Sequence, residues 1–209
     1  MIELECNVRH APLDRLWTGC RFRLKVNSTE TGFFLMRRAL AVLAMSVLPS
    51  FASAQANPVA EAFRQNYQQM SKNIIAAAEE QPADKYMFAP TPPQMSFAHV
   101  MTHLADGNDY LCGAIGGIKA PSRSKVDTTA GKEALVARLR ETFAFCTQAL
   151  GSLDDSKLGE KIPFFGGRPM TRASIMTITT GDWADHYSQL ANYLRLNGLV
   201  PPTAQKKAM

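Results

Sequence analysis

Four segments with apolar residues at three- and four-residue steps dominate the chain, and proline or glycine bounds each of them. Such spacing places the apolar side chains on one face of an α-helix. The first segment shows the pattern clearly, because Asn57-Pro58 supplies a cap residue followed by proline at the first helical position, and Gln81-Pro82 ends it. The sequence predicts helices at about 57–81, 96–115, 131–150 and 171–197.

The connections between these segments contain the residues that stop regular structure. Pro163 and Gly166-Gly167 predict a loop over 152–170, and we find no convincing strand. Hydrophobic residues make up 46% of the chain and charged residues 20%, so wholesale disorder and a coiled-coil rod are both excluded. The predicted fold is therefore all-α, a four-helix bundle.

The net charge of +5 does not indicate nucleic-acid binding once the charges are placed along the chain. Residues 1–54 hold seven basic and four acidic residues, whereas residues 55–209 hold 16 basic and 14 acidic residues. A phosphate-binding surface needs a dense cluster of Lys and Arg, which the second part lacks. Motifs of the hydrolase elbow, the phosphate loop and c-type haem attachment are also absent from the sequence.

A targeting segment is predicted from Met36 onward. Met36-Arg37-Arg38 is positive, 39–51 is apolar, and Ala52-Ser53-Ala54 is a small-residue cleavage site ahead of Gln55. Since the apolar run is shorter than the roughly 20 residues that a membrane-spanning helix needs, we expect no permanent membrane anchor. The alternative is that 39–51 forms a buried helix of the core.

The signal peptide divides the chain into three parts. We interpret 1–35 as an upstream leader, 36–54 as the signal peptide and 55–209 as the mature, periplasmic or secreted domain. Cys112 and Cys146 are the cysteines of that domain. In an oxidising compartment two cysteines are more often paired than free.

Two ionisable residues interrupt the apolar face of the fourth helix. Asp182 and His186 fall in the middle of an arc that also contains Ile175, Ile178, Gln189 and Tyr193. Burying an ionised carboxylate without a partner is costly, so Asp182 requires a cation, a proton or strong donors. Because the two residues are four apart, their side chains lie on one face and can converge on a single point.

The second helix offers a third donor. His103 lies at the edge of its apolar arc, whereas His99 lies farther toward solvent, so we select His103. Two imidazoles and one carboxylate would hold a divalent metal and leave a position open for water or substrate. The alternative is that Asp182 and His186 form an ion pair without a metal.

Three stretches carry a resemblance to a known family. They are 86–91 (YMFAPT), 96–106 (SFAHVMTHLAD), and the last helix with its exit, 181–202. On these residues the chain resembles the DinB-like superfamily of four-helix metalloproteins over nearly all of 57–202. Members typically bind a divalent metal through one His on the second helix and two on the last, which correspond here to His103, Asp182 and His186. The resemblance thus implies a cofactor of zinc, nickel, iron or manganese, with Asp182 in place of the usual His.

The resemblance also implies a topology and a reaction class. Helices in this family run up, down, down, up, which would bring Cys112 and Cys146 to the same end of the bundle and allow a disulfide; the alternative is two separately buried thiols. Characterised members include metal-dependent transferases and isomerases, so we expect a metal-dependent hydrolase or transferase acting on a small molecule. A homodimer is implied by the resemblance alone. The alternative function is a non-catalytic binding or stress-response module with a degenerate metal site.

Overall fold

The computed structural model describes residues 57–206, so the predicted leader and signal peptide lie outside the described residues. Four α-helices and one two-stranded sheet make up the regular structure of this part of the chain, together with short 3-10 turns. The helices are α1 Pro58–Glu80, α2 Phe97–Gly116, α3 Lys132–Gly151 and α4 Arg172–Leu196, and the strands are β1 Lys161–Pro163 and β2 Pro169–Thr171. Over residues 57–206, none of the helices is both long enough and apolar enough to span a membrane.

The helix ends agree with the predicted boundaries to within one residue, and local caps explain them. Ser96 and Thr171 accept hydrogen bonds from the backbone N–H groups of His99 and Ser174 at the starts of α2 and α4. These bonds satisfy donors that the first helical turn leaves without a partner. At the end of α2, Gly117 adopts a left-handed conformation with φ of 69°, which favours glycine.

Helices α2 and α3 run parallel, as contacts along their length show. The Asn108 amide donates to Thr142 Oγ1 at 3.2 Å, and four residues further along each helix Cys112 and Cys146 form a disulfide with their Cα atoms 5.1 Å apart. At the ends of both helices, the absence of a side chain at Gly116 lets the two backbones meet. The predicted cysteine pairing and the parallel α2–α3 arrangement are confirmed.

The helix pairs α2–α4 and α1–α3 are antiparallel. Arg172 at the start of α4 donates to the Ile115 carbonyl at the end of α2, while Tyr193 near the end of α4 donates to the carbonyl of Met95, just before α2. Helices α1 and α3 are also antiparallel, since Lys132 at the start of α3 donates to the carbonyl of Gln81 just after α1. The bundle is therefore all-α with the order up, down, down, up, as predicted.

The segment between α3 and α4 corrects the prediction of a loop without strands. Lys161 pairs with Thr171 and Pro163 with Pro169 in an antiparallel hairpin, whose tip contains Gly166 and Gly167 with φ of 68° and 74°. Each strand has three residues, too few for an alternating pattern to be recognised in the sequence. The hairpin precedes α4 directly and covers the end of α2 through aromatic contacts with Tyr110.

Candidate metal centre

Antiparallel packing of α2 and α4 brings His103, Asp182 and His186 together, and we call these three side chains the donor cluster. His103 Nε2 lies 3.8 Å from Asp182 Oδ1, and His186 Nε2 lies 3.4 Å from the same oxygen. The two imidazole rings meet edge to face with their centroids 4.6 Å apart. One donor atom from each residue lies within 4.8 Å of the other two.

The donor cluster opens to solvent on one side only. The side chain of His103 is 42% exposed, whereas that of His186 is 8% exposed, with Asp182 between them. A ligand can therefore approach along the α2 side, while the α4 side is closed by the core. The buried His186 and the partly exposed His103 thus give a site that is closed on one side and accessible on the other, as an open metal site requires.

The protonation of His186 reflects two opposing effects. Burial lowers the pKa of its imidazole, but the hydrogen bond to Asp182 and the charge of that carboxylate, with smaller contributions from Gln189 and the Asp185 charge, raise the pKa above its ordinary value. Without a metal, the imidazolium form is thus favoured by the Asp182 carboxylate. A metal ion would take the place of that proton.

A second interaction holds the His186 ring from its other nitrogen. His186 Nδ1 lies 3.4 Å from Gln189 Oε1, and the Gln189 amide donates to Asp185 Oδ2 at 3.0 Å. A ligating histidine commonly donates its second N–H to such an acceptor, which orients the other nitrogen toward the ion. Gln189 was predicted to lie in the same arc as His186 but was given no role, and Asp185 was not identified. The step of three residues from His186 to Gln189 and of four from Asp185 to Gln189 could have indicated both contacts.

A buried polar network sets the position of α4 beside α2. The indole N–H of Trp183 donates to Asn108 Oδ1 at 2.8 Å, and Asn108 in turn donates to Thr142 of α3. Trp183 and Asn108 are buried, and Trp183 directly follows Asp182. The network therefore restricts rotation of α4 at the residue next to the donor cluster. The sequence gives no local signal for it, since the partners lie on different helices.

The structure agrees with the selection of His103 over His99. His99 is exposed and lies outside the donor cluster, while its backbone N–H is bound by the Ser96 cap. The proposed arc on α4 needs a correction, because Ile178 is exposed rather than buried. Asp182 lies at the edge of α4 that faces α2. Trp183 and Leu190 form the centre of the buried face of α4.

The donor cluster fits a divalent metal by its chemistry and its spacing. Two ligand atoms at about 2.1 Å from a common ion lie roughly 3 to 4 Å apart, which matches the two contacts of Asp182 Oδ1. Neutral imidazole suits zinc, nickel and iron, and a carboxylate suits these ions and manganese. Two imidazoles and one carboxylate would hold such an ion with three protein ligands, and a further ligand could reach it past the partly exposed His103.

Comparison with known proteins identifies the family. A family model described as the DinB superfamily matches residues 66–190, which run from within α1 into the second half of α4 and include the donor cluster. The chain belongs to the DinB superfamily. No protein of curated function matches the sequence significantly.

Solved structures support the DinB fold. A DinB-like protein from Bacillus cereus matches with a TM-score of 0.56 at 19% identity, covering 68% of this chain and 95% of that one. A DinB-like protein from Bacillus subtilis matches with a TM-score of 0.54 at 18% identity, covering 70% and 99%. A conserved protein from Enterococcus faecalis matches with a TM-score of 0.53 at 15% identity, covering 66% and 96%. At these identities the likeness concerns the fold alone.

Proposed function

We propose that this DinB-superfamily protein binds a divalent metal, one of zinc, nickel, iron or manganese, through His103, Asp182 and His186. The observation that carries the proposal is the approach of one donor atom from each of the three side chains to within 4.8 Å of the others. The partial exposure of His103 and the support of His186 by Gln189 agree with an open, oriented site.

We further propose that the centre performs a hydrolase or transferase reaction on a small molecule. A bound divalent ion supplies Lewis-acid chemistry, which lowers the pKa of a water or thiol at its open position. Asp182 would provide the negative charge at the centre. Gln189, which contacts Nδ1 of His186, would keep the His186 ring in its orientation during turnover. His103, which is partly exposed, would lie where the substrate approaches the centre.

The protein is proposed to act in the periplasm or outside the cell. The signal-peptide pattern ending at Ala54 and the disulfide between Cys112 and Cys146 support this location. The alternative, a non-catalytic helical module, is favoured by Asp182 standing in place of the family's usual histidine, because its contact with His186 is also that of an ion pair without a metal.

Elemental analysis of the exported form, purified without an affinity tag, tests the metal centre. We expect about one divalent ion per chain in the wild type and a loss of at least tenfold in metal content for His186→Ala. Mass spectrometry of the same sample tests cleavage after Ala54 and the oxidised state of both cysteines. Asp182→His, which restores the family's residue, is expected to retain the metal.

The matched control is His99→Ala, which removes an exposed imidazole from the same helix as His103 but outside the donor cluster. This variant should keep the full metal content. Metal-free wild-type protein, with the same free energy of unfolding in the presence and absence of added zinc, would contradict the proposal and favour the non-catalytic module.

A further inference from the structure

Apolar side chains also reach the surface on the side of the bundle formed by α2, α4 and the hairpin. We call the exposed Tyr110, Phe165 and Ile178, with the half-buried Phe164, the aromatic patch. The rings of Tyr110 and Phe165 stack with centroids 4.3 Å apart at 20°, and Phe164 meets Phe165 edge to face at 4.7 Å. Phe165 is 61% exposed, and Tyr110 and Ile178 are also exposed. Large apolar groups gathered at the surface commonly mark a binding site.

Both helices of the α2–α4 pair extend from the donor cluster toward this patch. Tyr110 lies seven residues after His103 and therefore on the same stripe of α2, about 10 Å along the helix. Ile178 lies four residues before Asp182, on the same edge of α4. Because the two helices are antiparallel, both residues lie in the same direction from the cluster.

Gly107 lies between the two sites and leaves the path between them open. It is part of α2, half-buried, and a Cβ placed there would come within 3.9 Å of Asp182 Oδ2. A larger side chain at this position would occupy the space next to the carboxylate. Along α2, Gly107 therefore separates the donor cluster from the stacked rings of Tyr110 and Phe165.

We propose that the centre takes a small amphipathic molecule, whose polar head coordinates the metal and whose aryl or alkyl tail, about 10 Å long, lies on the aromatic patch. This inference rests on the proposed metal-binding function. A small molecule fits better than a protein, because a stable protein interface needs about 20 residues on each side, whereas four apolar side chains form the patch.

Two hydroxamic acids test the proposal on the zinc-loaded protein by titration calorimetry, with unbound zinc removed beforehand. Acetohydroxamic acid has the metal-binding head alone, and phenylbutanehydroxamic acid adds an aryl tail. We expect the tail to strengthen binding by about tenfold in the wild type, as burial of part of a phenyl ring gives. In Phe165→Ala this gain should fall to about threefold or less, with zinc content and acetohydroxamic acid affinity unchanged.

Leu196→Ala is the matched control, since Leu196 is 62% exposed and lies in the last turn of α4, away from the patch. It should keep the full gain from the tail. Equal affinities of the two acids for zinc-loaded wild type, or a gain that survives in Phe165→Ala, would overturn this inference and leave the metal centre standing. A protein that takes up no zinc would overturn both proposals.

Discussion

At the scale of residues, a few buried polar side chains decide where the donor cluster forms. Trp183 packs its ring against Phe63 and Tyr67 of α1, with centroids 5.8 and 5.5 Å away, and donates its N–H to Asn108 of α2. A buried acceptor such as Asn108 Oδ1 costs free energy when its donor is removed. The hydrogen bond therefore favours the rotation of α4 that directs the neighbouring Asp182 toward α2.

The variant Trp183→Phe tests this positioning role. It keeps an aromatic ring in the core but removes the N–H donor, so we expect the free energy of unfolding to fall by about 1–3 kcal/mol. The affinity for zinc should fall several-fold as well, because α4 loses the contact next to Asp182. Urea unfolding and competition with a chromogenic zinc chelator measure the two effects.

Phe63→Leu is the matched variant, because it weakens the stacking against Trp183 without touching the hydrogen bond to Asn108. It should lower the stability of the fold and leave the zinc affinity unchanged. A Trp183→Phe protein with wild-type zinc affinity would show that the network supports the fold only.

At the scale of elements, Tyr86 ties the connection between α1 and α2 to both helices. Its hydroxyl donates to the Ala78 carbonyl of α1 at 2.5 Å, and its carbonyl accepts from the N–H of Ala98 in α2 at 2.7 Å. Its ring also packs on Phe97, with centroids 5.1 Å apart. The proline-rich segment that follows Tyr86 has no helical pattern. The contacts of this buried tyrosine therefore fix the position of the connection against the two helices.

The burial of Tyr86 predicts that its contribution to the free energy of unfolding is lost at alkaline pH. Burial raises the pKa of the Tyr86 hydroxyl well above its usual range, and the charges of Glu133 and Glu79 add to the effect. Since the folded pKa exceeds the unfolded value of about 10, the contribution of the hydroxyl is complete below pH 10 and is lost as the pH rises above it. The stability difference between wild type and Tyr86→Phe should therefore narrow by about 1.4 kcal/mol per pH unit above pH 10.

Urea unfolding at pH 8, 10 and 11 measures this difference. Tyr110→Phe serves as the control. Because the Tyr110 side chain is exposed, removal of its hydroxyl should change the free energy of unfolding little at any of these pH values. A difference between wild type and Tyr86→Phe that stays constant over this pH range would contradict the prediction.

At the scale of the whole molecule, the disulfide joins the two parallel helices that share the most extensive packing. Cys112 and Cys146 are fully buried, and their bond closes a loop with a sequence separation of 34. A cross-link of this kind removes conformations from the unfolded chain and so stabilises the fold, by about 3–4 kcal/mol for a loop of this length. The bundle is therefore more stable in an oxidising compartment, where the bond persists, than in a reducing one.

The double variant Cys112→Ala/Cys146→Ala tests that contribution. Its free energy of unfolding should be about 3–4 kcal/mol lower than that of the oxidised wild type, measured in urea under two-state conditions. Its zinc content should remain unchanged, because the donor cluster lies between α2 and α4 and not between α2 and α3. A loss below about 1 kcal/mol would show that the cross-link adds little to this fold.

The sequence by itself determined the helices, because helical periodicity and caps are local. Pro58, Gly117 and the Ser96 cap place boundaries that the structure reproduces to within a residue. The spacing of Asp182 and His186 also determined that these two side chains share a face. The choice of His103 over His99 followed from its angle on α2, and the family resemblance supported it.

Only the tertiary structure decided what lies across from each helix face. The approach of His103 to Asp182, the bond between Trp183 and Asn108, and the exposure of Ile178 depend on how α4 is rotated against α2. The hairpin of β1 and β2 likewise depends on pairing between segments too short to show a pattern. The contacts between helices join residues far apart in the chain, and packing of the whole core selects them, which no local periodicity encodes.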